Sequence, residues 1–514
     1  MNSLTLTPLS RRLGLAFALL GLLLFAGSWL HSGQPTTWPK LADDAFYYFQ
    51  VAENVANGHG FSMDRLNFTN GFQPLWMLLL TGLYALHPEP LTVAPALVVL
   101  LMLLLAGVTV ALLHDWITRF AGQKAATLSV LLLLFPRYLN VLLGGLEAGL
   151  VVLLVAATLR QLTLQPDWLE VQPQTRDAKT GFLLGLLMLA RLDAVWLLFA
   201  LAGAVTLRGL RAQDLPMVQR LLRIALKGLS LFWPVLLLVL PYLAWNQAMT
   251  GHLVPISGVL KSSFPHAQWN GHYLLEHKDF YALIVLTLLA AMRTHEAPVP
   301  VRWTLRALAV GVAIHALYTL FFMHWAVFAW HYAVALGTGI ASIGWLLRAV
   351  ETQPPRRQLL IVATELVLLV VSLTYSLTKA DTSFVPSALK AGDWARENLP
   401  KNAILGMKDS GAFTWQSRHQ VVNLDGVING YPYQNALCHG QLRQFLQGQG
   451  VTYIAQHAVP VSQRGQDVEQ LYPCHLPGGQ PGKLRLLAKD VVYRGEPYGP
   501  EHADEVVIFK VDLR

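Results

Sequence analysis

Long apolar runs recur along most of this chain, at 13–30, 73–86, 91–113, 125–135, 141–159, 181–207, 223–245, 281–292, 307–323, 331–347 and 358–378. Many approach the roughly 20 residues that a helix needs to cross the hydrocarbon of a bilayer. Lipid offers backbone groups no hydrogen bonds, so such runs must be helical. Composition agrees, with 54% hydrophobic and 13% charged residues, where soluble domains carry about 25% charged. The fold class read from this pattern is a polytopic α-helical membrane protein of about 10–11 membrane segments.

The net charge of +8 is a matter of position. Arg208, Arg211, Arg220, Arg223 and Lys227 lie between two apolar runs, as do Arg293, Arg302 and Arg306, and again Arg348, Arg356 and Arg357. Basic residues in short loops mark the cytoplasmic side. The excess is therefore a topology signal, and nucleic acid is not an expected partner. Arg11 and Arg12 place the N-terminus inside, ahead of a first run read as a retained helix rather than a cleaved signal. Residues 246–280, 324–330 and everything after about 379 then lie outside.

The run at 73–86 is short and flanked by Pro74, Pro88 and Pro90. Read as short or re-entrant, it keeps Arg119, Lys124, Arg160, Arg176 and Lys179 inside and puts Pro136–Glu147 outside. Segment 181–207 must then enter and return, breaking near Arg191–Asp193, where protein or water lines the break. The alternative is one straight helix that buries Arg191 and Asp193 on different faces.

Beyond about residue 380 the chain turns polar. "SALKAGDWARENL" reads as an amphipathic helix, and "AILGM", "QVVNL", "VTYIAQ", "LRLLAK" and "EVVIFKVDL" as strands. The expected organisation is a membrane domain over 1–380, with a first external loop at 31–73, and an α/β domain outside the cytoplasm over 381–514. Cys438 and Cys474, the only cysteines, both fall in that outer part. A disulfide suits an oxidising compartment, and two unpaired thiols are the alternative.

Five stretches hold polar groups that a membrane chain keeps for a purpose. Asp43 and Asp44 open a short helix over 43–57 that Gly58 ends. Asp also suits a helix start by capping free N–H groups. Asp43, Tyr47, Gln50 and Asn54 share one face and Ala45, Phe49, Ala52 and Ala56 another, as in an interfacial helix. A carboxylate beside a phenol is what a general-base site needs. Asn70-Gly71 is a turn leading to a helix start at Pro74. Glu147 stands among glycines in "GGLEAGL". Arg191 and Asp193 in "LARLDAVW" are either an ion pair bracing the break or a guanidinium shaped for phosphate. Lys261 in "GHLVPISGVLK" either holds a lipid phosphate or snorkels to the headgroups. His324 and His331, seven apart, read as interfacial packing rather than metal ligands. No metalloprotease, nucleotide-loop, nucleophile-elbow or zinc spacing occurs.

The ordered set of "DDAFYYFQVAENVANGHGFS", "TNGFQPLW", "GGLEAGL" and "GLLMLARLDAVWLL" resembles the GT-C glycosyltransferases that use polyprenyl-phosphate sugars. That superfamily includes protein O-mannosyltransferases and lipid A aminoarabinose transferases. "GHLVPISGVLK" and the soluble end are similar to a bacterial branch of it. The resemblance implies a multi-pass protein of the bacterial inner membrane with a periplasmic C-terminal domain. It implies an inverting transfer from a polyprenyl-phosphate-linked sugar to a hydroxyl on a protein, glycolipid or polysaccharide acceptor. Asp43 would be the general base and Asp44 would orient it or the acceptor. Tyr47, Asn70, Glu147, Arg191, Asp193 and Lys261 would bind substrates, with Arg191 and Lys261 on the leaving phosphate. A single Glu stands where the family carries an Asp-x-Asp pattern, so no metal ligand is assigned and a divalent cation stays an open requirement. The rival reading is a transporter or lipid flippase, which should show matching broken segments in two halves. The sequence shows no such symmetry.

Overall fold

The computed structural model describes residues 5–36, 38–170, 172–211, 216–378, 383–476 and 479–513. α1 (Pro8–Ser32) is followed by α2 (Asp43–Ala56), α3 (Pro74–Tyr84) and α4 (Val93–Ala121). α4 runs back along α1. Their backbones nearly touch, because a Cβ on Gly14 would fall 2.4 Å from the Gly107 carbonyl oxygen. α5 (Gln123–Leu131) and α6 (Pro136–Leu143) follow, with a bend of 76° between them. Pro136 causes it, since proline has no N–H to donate and pushes Phe135 to extended backbone.

α7 (Ala148–Leu164), α8 (Asp177–Ala190), α9 (Val195–Leu210), α10 (Met217–Thr250), α11 (Ile256–Lys261), α12 (His272–Glu276), α13 (Lys278–Met292), α14 (Val299–Phe322), α15 (Ala333–Leu346) and α16 (Pro355–Thr378) complete the helical part. Among the described residues, seven helices are long and apolar enough to cross a membrane, and α3 and α7 are shorter apolar helices.

Ion pairs show which loops share an end of the bundle. Asp115, fully buried near the end of α4, accepts from the Thr7 backbone, Arg119 and Arg160. Glu351 accepts from the backbone N–H groups of Lys124 and Ala125. The loops around 119–124, 160 and 351 therefore lie at the N-terminal end, as the short reading of 73–86 requires. α3 stays at the opposite end, because its first turn donates Trp76 to Gly145 and its last residue packs Tyr84 on Phe49 and Trp415. Eleven residues also span only about 16 Å.

The 181–207 run enters and returns. Gly181 and Gly185 lie against Leu231 and Val235, so α8 runs alongside α10 in the same direction. Gly209 meets Ile224, so α9 runs back against it. The break at Arg191–Ala194, where Arg191 is extended, sits at the far end from the N-terminus.

The C-terminal unit holds α17 (Val385–Asn398), β1 (Ile404–Met407), α18 (Gly411–Ser417), β2 (Gln420–Asn423), α19 (Tyr431–Cys438) and α20 (Leu442–Gly448). β3 (Val451–Pro460), β4 (Val468–Tyr472), β5 (Gly482–Leu486), β6 (Val491–Arg494) and β7 (Asp504–Lys510) follow. The five-stranded sheet has order β2-β1-β3-β7-β6, parallel at β1 and antiparallel at β7, with β4-β5 as a separate pair. All five expected strands are present. β4 (VEQLY) and β6 (VVYR) are not among the expected strands and are only five and four residues long. Cys438 and Cys474 are joined in a disulfide.

Candidate active site

The C-terminal unit docks on α2. Asp43 accepts from the backbone N–H groups of Gly411 (3.0 Å) and Ala412 (2.8 Å), at the start of α18. One turn on, the Tyr47 hydroxyl donates to Asp425 (3.1 Å) and accepts from the Ser410 backbone (2.9 Å). Two turns further, Glu53 takes both arms of Arg418. The contact is close enough that a Cβ on Gly411 would stand 2.1 Å from the Asp43 carbonyl oxygen. The polar face of α2 is thus an interdomain joint, with Asp43 in its capping role toward a helix of the other unit.

Asp44, rotated about 100° from Asp43 on the helix, looks elsewhere. It lines a cavity of about 1000 Å³ between the far end of the bundle and the C-terminal unit. Tyr47, Tyr48, Glu147, Arg191, Asp193 and Lys261 line the same space. So do His315, His324 and His331 from the membrane part, and Val427, Ile428, His475 and Leu476 from the C-terminal unit. The expected site residues therefore converge, with two exceptions. Asp43 faces the joint, and Asn70 clamps the 245–256 segment, donating to Asn246 and accepting from the Ile256 backbone at 3.0 Å each.

Most charges in the cavity are already matched. Arg191 donates to Glu147 at 2.6 Å and to Asp193 at 2.6 and 3.1 Å. Glu147 also accepts from Tyr48 (3.1 Å), whose oxygen accepts from the Gln73 backbone. His315 approaches Asp193 at 3.6 Å. Arg191 is consequently the brace across the chain break. Asp44 and Lys261 are the charged cavity residues whose side chains make no hydrogen bond or ion pair among the described residues.

Burial pushes the Asp44 carboxyl up to about 6, against the pull of Lys261. Burial raises Asp43 further, to about 8, with Asp44 and Asp409 adding to it and the two N–H groups opposing. Near neutral pH the ionised member of the pair is thus Asp44. A divalent cation does not suit this donor set, because Glu147 and Asp193 both already accept from Arg191. Among the described residues, no group of three or more His, Cys, Asp or Glu could hold a metal ion.

Tyr48 escaped the sequence reading, although its place four residues after Asp44 puts both on one face. His315 and His475 gave no signal, as nothing in sequence links them to the first loop.

Residues 377–495 match a family described as a domain of unknown function (DUF8728). No curated protein matches the sequence. Among the solved structures similar to the chain along most of its length are an ArnT and an archaeal oligosaccharyltransferase. ArnT from Cupriavidus metallidurans, bound to undecaprenyl phosphate, is 11% identical with a TM-score of 0.55, covering 97% of this chain and 98% of that one. The archaeal oligosaccharyltransferase AglB from Archaeoglobus fulgidus, in complex with an inhibitory peptide and a dolichol-phosphate, is 12% identical with a TM-score of 0.51, covering 93% and 74%. This chain has the fold of the GT-C membrane glycosyltransferases.

Proposed function

We propose that this protein transfers a sugar from a polyprenyl-phosphate donor to a hydroxyl acceptor, with inversion, on the outer face of a bacterial plasma membrane. One observation carries the reading: a free carboxylate, Asp44, and a free ammonium, Lys261, share a cavity whose other charges are matched. Transfer needs those two functions. Asp44 takes the acceptor proton as its oxygen attacks the sugar's anomeric carbon, so that no free alkoxide forms. The bond from that carbon to the phosphate oxygen breaks on the opposite face, and its electron pair leaves with the lipid phosphate. Lys261 stabilises the charge that grows there. Arg191 holds Glu147 and Asp193 in place, and Glu147 is left one oxygen toward Tyr48. The disulfide supports an oxidising compartment for the C-terminal unit.

The test is sugar transfer from extracted polyprenyl-phosphate sugars by the purified protein, with Asp44→Asn and Asp43→Asn in parallel. Asp44→Asn should abolish transfer while Asp43→Asn retains a measurable rate. Wild-type activity in Asp44→Asn sinks the assignment of the base.

A further inference from the structure

The C-terminal unit does more than cover the cavity. The Cys438–Cys474 disulfide fastens the loop after β4, and Cys474, His475 and Leu476 from that loop are all cavity wall. His475 lies against Trp325 (ring centroids 4.0 Å apart) and beside His324 (5.6 Å), which faces it from the membrane part. His324 in turn donates its backbone N–H to the carbonyl of Lys261 (3.2 Å). Among the described residues both imidazoles bury one nitrogen without a partner, Nε2 of His475 and Nδ1 of His324. That leaves Nδ1 of His475 and Nε2 of His324 for a ligand. Burial holds both rings below the ordinary histidine range, His475 at about 4 with His324 and Lys408 adding to the effect. Near neutral pH the rings are therefore uncharged N–H donors, lining the same cavity as the Lys261 ammonium. One cation and two neutral donors match a phosphate group, whose oxygens accept several hydrogen bonds at once.

We propose that His475, held by the disulfide-fastened loop, joins His324 and Lys261 in a phosphate-binding subsite to which the C-terminal unit contributes directly. Its ligand is a phosphate group, either a lipid headgroup or free phosphate. On the transfer reading above, on which the headgroup's identity rests, it is the phosphate of the departing lipid. His475 then couples domain docking to donor binding, since the loop reaches the cavity only while the unit sits on α2.

Binding, measured without transfer, tests this on the full-length protein in nanodiscs. Undecaprenyl phosphate and inorganic phosphate serve as separate probes of wild type, His475→Phe and His475→Asn. Phe keeps the ring and removes the donors, whereas the Asn amide stands near the Nδ1 position. The expected result is affinity weakened about tenfold in His475→Phe and restored largely in His475→Asn. Opening the disulfide with Cys438→Ser and Cys474→Ser together should weaken it comparably. An effect on undecaprenyl phosphate assigns the subsite to a lipid headgroup, and an effect on inorganic phosphate alone assigns it to free phosphate. Unchanged affinity for both probes in a folded His475→Phe overturns the inference. That result would count against the subsite whatever Asp44→Asn does to transfer, so the two readings fail separately.

Discussion

The two ends of the helical bundle handle charge in opposite ways. At the N-terminal end Asp115 is shared by Arg119, Arg160 and the Thr7 backbone, and Lys227, fully buried, is held by Asp177 at 2.7 Å and by two backbone carbonyls. Both of these buried charges have partners, as buried ions require. At the far end Arg191 is matched as fully, yet among the described residues Asp44 and Lys261 stand unmatched in the cavity. An unmatched charge costs stability, so it persists where something else supplies its partner. The N-terminal clusters fasten helices, and on the proposed function the partners of the cavity pair come with substrate.

Breaking the far-end pair should cost activity and little stability. Asp44→Asn is expected to lower transfer about 10²- to 10⁴-fold, the scale of a general base, with thermal unfolding in detergent unchanged. Breaking the N-terminal pair should do the reverse. Asp177→Ala strands the Lys227 ammonium and is expected to destabilise by about 3–5 kcal/mol. Unfolding in detergent should show that loss, while the rate per folded molecule stays near wild type. If Asp177→Ala instead abolished transfer in a protein of normal stability, the contrast between the ends would collapse.

How much of this the sequence exposed follows the same division. The long apolar helices, the grouping of basic loops at one end, the short α3 and the broken α8–α9 segment were legible, because each is written in hydropathy, charge and proline over neighbouring residues. So were Glu147, Arg191 and Lys261 as cavity residues. The separate placements of Asp43 and Asp44 were not. They differ by one helical step, and what distinguishes them is α18, more than 360 residues away, whose N–H groups claim Asp43. No local pattern records such a docking. For Arg191 the ion pair with Asp193 was one of two open readings, and its second carboxylate, Glu147, was not legible because it comes from a separate segment.

The joint itself gives a smaller effect. Gly411→Ala places a methyl 2.1 Å from the Asp43 carbonyl oxygen, so α2 and α18 must part. The expected cost is about 1–3 kcal/mol, seen as earlier protease release of the C-terminal unit. A partial fall in transfer should accompany it, because that unit forms one cavity wall.

The pH profile is the gentlest probe and separates the two aspartates without mutating either. A general base acts as its carboxylate, so activity is present above its pKa and is lost as pH falls through it. With Asp44 as base, kcat/KM should be level well above its pKa and half-maximal near 6. A profile still climbing to a midpoint near 8 would point to Asp43 instead. Lys261 sharpens the reading, because its charge is what pulls Asp44 down against burial. Lys261→Gln should therefore move the midpoint upward as well as lower the plateau. A lowered plateau with an unmoved midpoint would place Lys261 on the phosphate alone and leave the ionisation of Asp44 to the acidic groups around it.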